Sequence, residues 1–253
     1  MRFLTPSDIF DRLAAEPEPV RVSLQQFRSR ACAQQYRLPY AQTQEFLREP
    51  RRVLDWGCGN GHFSYFLWQA GHRVDSYAFG APSPMIRHLQ ERSERPVTYS
   101  AGIESEPVKL PYADGTFDAV FSIGVLEHVR EFGGNELENL QEIGRVLRPD
   151  GLFFCFHFPN RLSWIEALTK VFRSRFHHAC RYTKKDILCV AHAAGFRVLE
   201  MHRYNALPRN VFTSFPVGTQ SRWLARGVDI FDSALSWALN PFCQNYACVL
   251  HRK

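Results

Sequence analysis

A chain of 253 residues with 45% hydrophobic and 14% aromatic content can bury a substantial core, which excludes a disordered class and predicts one domain with attachments. The formal charge of +6 fits nucleic acid, an anionic surface or simple solubility, and its sign alone does not choose among them. Seven cysteines, odd in number and without CxxC spacing, point away from a zinc site or a disulfide framework and toward reduced thiols in a cytoplasm.

In chain order, Thr5-Pro6-Ser7-Asp8 predicts an N-cap with proline at the first helical position, followed by a short helix that the "EPEP" stretch stops. The start of the chain breaks into charge too early for a signal peptide. No apolar run approaches the ~18 residues of a spanning helix. From Ser23 to Phe46 the pattern predicts mixed helix broken at Pro39, so residues 1–50 read as a helical cap ahead of a domain over 51–253.

After Pro50 the texture changes to a βαβ unit: "RRVLDW" as strand, "GNGHFSYFLWQAG" as helix closed by Gly71, and "HRVDSYAF" as strand. Ser83-Pro84 opens the next helix, "VTYSA" is a third strand and "FDAVFSIGV" a fourth, apolar enough to be buried on both faces. Asn135 caps a helix with Leu137, Leu140, Ile143 and Leu147 on one side; "RPDG" ends it and "LFFCFHF" is the fifth strand. Thr183 with Asp186 makes a capping box for a helix running to Gly195, then "FRVLEMHRY" and "NYACVLHRK" form the last strands. Alternating strands and helices imply a doubly wound, mostly parallel sheet covered on both faces.

In "VLDWGCGNGHF", Asp55 closes a strand, and Gly57, Gly59 and Gly61 at alternate positions let the backbone turn and approach a ligand without a Cβ. A dinucleotide site spaces its glycines as GxGxxG and sets a pyrophosphate on the helix N-terminus. Here the third glycine comes one residue early, and the carboxylate before the turn repels phosphate but attracts an ammonium. S-adenosylmethionine, with its ammonium, its sulfonium and no phosphate, suits the loop better than NAD.

On "VLDWGCGNG", "LPYADGTFDAVFSIGVLEHV" and "LQEIGRVLRPDGLFFCFHFPN", in that order, the chain resembles the class I S-adenosylmethionine-dependent methyltransferases, in the broad group that includes quinone-pathway enzymes. The resemblance covers residues 50 to about 250. It implies an α/β, Rossmann-like seven-stranded sheet whose last strand is antiparallel and inserted between strands five and six. It also implies S-adenosylmethionine as cofactor.

Two positions depart from that pattern. Where the family carries a ribose-binding acid at the end of strand two, this chain has Ala78, and Asp75 is expected to point to the opposite face. Near the adenine it offers Ile103 with Glu104 or Glu106 beside it. A lost charge-assisted hydrogen bond costs about 1.5–3 kcal/mol, which weakens a cofactor without abolishing it. The resemblance thus assigns Asp55 to the ammonium, Gly57, Cys58, Gly59 and Gly61 to the cofactor's approach, and Phe79, Ile103 and Glu104 to the adenine.

Methyl transfer is an in-line displacement that needs alignment, plus a base when the acceptor is a hydroxyl. His128 after strand four and His157 after strand five lie on the ligand-binding edge of the sheet as candidate bases. Asp118 reads as structural. No metal is expected, since the acids are not clustered at ligand spacing and His177 and His178 diverge as neighbours.

Residues 161–185 hold seven Lys or Arg against Glu166, with Trp164, Phe172 and Phe176 interleaved. Residues 205–242 form a long connection carrying Phe212, Phe215, Trp223, Phe231 and Trp237 beside Arg209, Arg222 and Arg226. This insertion reads as a lid over a greasy acceptor, a surface resting on anionic lipid at the inner face of a membrane, or an ordinary packed cap. The expected function is cytoplasmic O-methylation of a small or lipid-linked acceptor such as a quinone precursor, a glycolipid or a surface-glycan intermediate, with no nucleic-acid partner. Oligomeric state is open. The rival readings are a scaffold that has lost its cofactor, which Ala78 favours, and an NAD oxidoreductase, which Asp55 and the glycine spacing disfavour.

Overall fold

In a computed structural model that describes residues 3–171, 178–208, 212 and 220–253, strands β1 (Arg52–Trp56), β2 (Arg73–Phe79), β3 (Thr98–Gly102), β4 (Phe117–Ile123), β5 (Leu147–Pro159), β6 (Phe196–Tyr204) and β7 (Asn245–Arg252) form one sheet. Its order is β3-β2-β1-β4-β5-β7-β6. The first five strands pair in parallel, and β7 runs antiparallel between β5 and β6. This is the doubly wound, Rossmann-like arrangement expected from the sequence. Phe172, Phe176, His177, Arg209 and Phe215, singled out above, lie outside the described residues.

Alternation along the central strands builds two cores. Val53, Phe121 and Phe154 face one side, with α5 (His62–Gln69) and the N-terminal helices α1 (Pro6–Leu13), α2 (Glu18–Ser23), α3 (Arg30–Ala33) and α4 (Arg37–Phe46). Their neighbours Leu54, Val120 and Phe153 face the other, with α7 (Glu136–Val146) and α9 (Lys184–Ala193). Each fully buried Phe contributes about 1.5–3 kcal/mol. Tyr40 of α4 stacks on Phe66 of α5 with ring centroids 3.6 Å apart, so the N-terminal helices share the sheet's core.

The caps follow the local signals. Thr5 and Thr183 close complete capping boxes with Asp8 and Asp186, while Ser83 starts α6 (Pro84–Gln90) and Asn135 starts α7. Pro39 does not break α4. It falls in the helix's first turn, where the N–H has no acceptor within the helix and its absence costs little. Strand β5 begins at Leu147 and takes in the expected "RPDG" turn through a register shift opposite Phe117 and Ala119, with Asp150 at φ 61°.

Past β5 lies α8 (Trp164–Val171), and between β6 and β7 lies α10 (Arg222–Ala238). Its acids turn inward: Asp229 pairs with Arg37, and Asp232 accepts from the Leu207 N–H. Its outward face is apolar, with Trp223 82% and Trp237 85% exposed. No helix among the described residues is long and apolar enough to cross a membrane.

Candidate active site

A cavity of about 420 Å³ opens where β1, β2 and β4 end. Its lining comes from the end of β1 and the loop after it (Trp56, Gly57 and Gly59), the end of β2 (Ala78 and Phe79) and the segment after β4 (Val125, His128 and Phe132). Ligands of open α/β sheets sit at this carboxyl edge. A second cavity of about 420 Å³, beside Phe3, Arg12 and Leu47, has no such relation to the strand ends.

The three loop glycines have different duties, although all have positive φ, at 74°, 49° and 83°. A Cβ on Gly57 would sit 2.4 Å from Val125 Cγ2, and one on Gly61 would sit 3.0 Å from Ile86 Cδ1. Those two glycines are required by the protein's own packing. At Gly59 the nearest protein atom would be 3.9 Å away, so a Cβ there would fill only the cradle. The N–H groups of Gly57 and Cys58 donate to the Tyr77 carbonyl at 2.8 and 3.0 Å, and that of Gly61 donates to the Cys58 carbonyl, fixing the turn to β2. Cys58 itself is buried, and burial pushes its thiol pKa well up.

Asp55 does not line the cavity. It is 1% exposed, and its carboxylate accepts from Ser64 Oγ at 2.5 Å, which in turn contacts Ser76 Oγ at 2.8 Å. Burial raises its pKa to about 6, against the hydrogen bonding from Ser64. Its charge therefore acts from beneath the loop. Asp75 is held elsewhere, by Arg52 and by Thr98 Oγ1, and Asp118 accepts from the Arg52 N–H and pairs with Arg148.

At the adenine end the expected residues separate. Phe79 lines the cavity and stacks on Phe132, but Ile103 is 61% exposed and neither it nor Glu104 reaches the cavity wall. Phe132, absent from the sequence expectation, lies in the 3₁₀ segment Leu126–Phe132 directly after β4. Tyr77 also lines the cavity, and its buried hydroxyl has no partner among the described residues. The bare backbone at Gly59, the flat aromatic wall and an unclaimed hydroxyl fit a nucleoside that carries an amino-acid arm.

Of the two candidate bases, His128 lines the cavity and His157 does not. His128 Nδ1 lies 2.8 Å from Glu131 Oε1. His157 is held at φ 58°, its N–H donating to Tyr204 Oη and its Nδ1 accepting from Asn245 Nδ2. Burial, with the charge of His178, lowers its pKa to about 4. Such a group is a weak acceptor of protons near neutrality.

Tertiary structure adds what spacing could not: His178 comes to His128, with ring centroids 5.6 Å apart, beside the buried Glu127. Burial lifts Glu127 to about 7, against its backbone hydrogen bond and the charges of His128 and His178. Burial alone would lower His178, but the hydrogen bond and charge of Glu166 raise it.

Residues 24–201 match the family model described as a methyltransferase domain. Among curated proteins, the tRNA U34 carboxymethyltransferase of Geobacter sp. (strain M21) is 34% identical over 105 residues, 40% of this chain and 30% of that protein. The demethylmenaquinone methyltransferase of Deinococcus radiodurans is 27% identical over 138 residues, 54% of this chain and 55% of that protein. The chain thus spans between 30% and 55% of the length of these relatives. Among solved structures, a Burkholderia thailandensis 1,6-didemethyltoxoflavin-N1-methyltransferase with bound S-adenosylhomocysteine superposes with a TM-score of 0.56 at 22% identity, covering 87% of this chain and 78% of that one. With the family model matched across most of its length and the sheet order in place, the chain belongs to the methyltransferase-domain family of class I S-adenosylmethionine-dependent methyltransferases.

Proposed function

We propose that the protein transfers a methyl group from S-adenosylmethionine to an oxygen of a small or lipid-linked acceptor. The observation that carries this reading is the cavity itself, in which the open side of Gly59, the Phe79 and Phe132 rings and His128 share one space. Gly57, Cys58, Gly59 and Gly61 would shape the cradle, with Asp55 supplying negative potential from below and Phe79 meeting the purine. When bound, the cofactor supplies a methyl carbon already activated by its sulfonium.

His128 supports the oxygen-directed reading, because Glu131 at its Nδ1 orients the ring and leaves Nε2 to take the acceptor's proton. Val125, Val129, Pro107 and Phe132 make that end of the cavity apolar, which supports a greasy acceptor. The exposed tryptophans of α10 support a lid or a lipid-facing role for the insertion over 205–242, with 1–50 as a cap on the domain over 51–253. On this reading the enzyme works in the cytoplasm, against the inner face of a membrane.

The test is calorimetric titration with S-adenosylhomocysteine, followed by mass spectrometry of quinol, glycolipid and glycan acceptors for a 14-dalton gain. Micromolar binding with methylated product supports the proposal; no heat at millimolar ligand overturns it. That second outcome would favour the scaffold reading, which Ala78 at the cavity wall supports, since it leaves no carboxylate for the ribose there. The expected exclusion of nucleic acid has no support from the relatives, one of which is named as a tRNA-modifying enzyme. RNA therefore belongs in the acceptor panel.

A further inference from the structure

The geometry points to a site for one divalent transition-metal cation at Glu127, His128 and His178, which adjoins the candidate active-site cavity through His128. One ligand atom from each of the three lies within 4.8 Å of the other two. In a tetrahedral zinc site with bonds of about 2.0–2.1 Å, ligand atoms stand about 3.4 Å apart, so closing the set takes side-chain shifts on the order of an ångström.

Two independent features distinguish this cluster from a chance meeting of polar groups. First, Glu127 is 3% exposed, and its Oε2 is buried without a hydrogen-bond partner among the described residues. A buried carboxylate oxygen normally has a partner, and a bound cation would be one. Second, both imidazoles already have a carboxylate behind them. His128 Nδ1 lies 2.8 Å from Glu131 Oε1, and His178 Nδ1 lies 2.8 Å from Glu166 Oε1. With Nδ1–H donated to a carboxylate, each neutral ring presents the lone pair of Nε2 as a ligand, the second-sphere arrangement that fixes tautomer and orientation at metal centres.

Two imidazoles and one carboxylate select a borderline cation such as zinc, cobalt(II) or iron(II) over calcium or magnesium, which prefer all-oxygen sets. Three protein ligands leave at least one coordination position open. Because His128 lines the cavity, a bound cation would border the space proposed for the acceptor, where it would hold an acceptor oxygen and lower its pKa; in that form His128 Nε2 is a ligand, so the cation takes the place of His128 as the means of deprotonating the acceptor. This role rests on the function proposed above. The site itself does not.

The experiment uses the whole chain, stripped with a chelator and titrated with cobalt(II). One equivalent is expected to give visible d–d absorption of a site with nitrogen and oxygen ligands, displaced by zinc, and X-ray absorption of the zinc form is expected to count two imidazoles. His178→Gln and Glu127→Gln are each expected to weaken cobalt binding at least tenfold. Glu131→Gln, altered only behind His128, is expected to weaken it less. Circular dichroism of the stripped proteins controls for folding. Absence of stoichiometric absorption in the wild-type chain, a spectrum without imidazole ligands, or unchanged affinity in folded His178→Gln overturns the site. S-adenosylhomocysteine titrated into the stripped protein separates the two readings: cobalt binding without cofactor binding keeps the metal site and removes the methyltransferase proposal, and the reverse removes the metal site alone.

Discussion

Phe79 and Phe132 stand face to face at the edge of the cavity, their ring centroids 5.3 Å apart and their planes 25° from parallel, although one ends β2 and the other follows β4. This pair gives the cavity a flat apolar wall suited to a purine. Because Phe132 is 53% exposed, removing its ring costs the fold little. Phe132→Ala is therefore expected to weaken S-adenosylhomocysteine binding by about 0.5–1.5 kcal/mol, roughly two- to tenfold, in calorimetry, with little change in melting temperature.

The glycine loop predicts a separation of stability from affinity. Gly57→Ala forces a Cβ to 2.4 Å from Val125 and adds the strain of φ 74°, and is expected to lower unfolding free energy by about 2–5 kcal/mol. Gly59→Val places its Cβ at ordinary contact distance, 3.9 Å, from the Gly57 carbonyl oxygen and carries the strain of φ 49°, about 1–2 kcal/mol. Its branched side chain nevertheless occupies the cradle. Denaturant titration and ligand calorimetry on the two variants should therefore rank them in opposite orders.

Ala78→Asp places a carboxylate at the cavity wall where the family resemblance expects one. A charge-assisted hydrogen bond to a ribose hydroxyl contributes about 1.5–3 kcal/mol, so cofactor affinity is expected to rise at least about tenfold. Unchanged affinity in a folded variant would show that the end of β2 is not where the ribose lies.

Asp55 predicts a pH dependence of stability. Its pKa rises from 3.8 to about 6 on folding because burial disfavours the carboxylate, so between those values the folded chain holds more proton than the unfolded one. The stability it contributes is complete below pH 4 and is lost as pH rises through about 6, amounting to about 3 kcal/mol. Asp55→Asn keeps the shape and removes the titration. The difference in unfolding free energy between wild type and variant should fall from pH 4 to pH 7 and then level off.

Much of the architecture was legible because its signals are local. The caps at Thr5, Ser83, Asn135 and Thr183 act within one helical turn, and the two-residue period of Val53-Leu54 and Phe153-Phe154 assigns opposite faces of a strand without any knowledge of what covers them. The three glycines marked the ligand-bearing turn for the same reason, since their positive φ is a property of the backbone at those residues. What each glycine is for was not legible: the neighbours of Gly57 and Gly61 are Val125 and Ile86, side chains from later elements. Nor could spacing show that Asp55 turns to Ser64, that Phe132 meets Phe79, or that His178 arrives beside His128 and Glu127. Those pairings depend on how α5 lies against β1 and on where the chain after β5 returns to the sheet's edge. Such positions are fixed by the packing of the whole core rather than by any short run of residues.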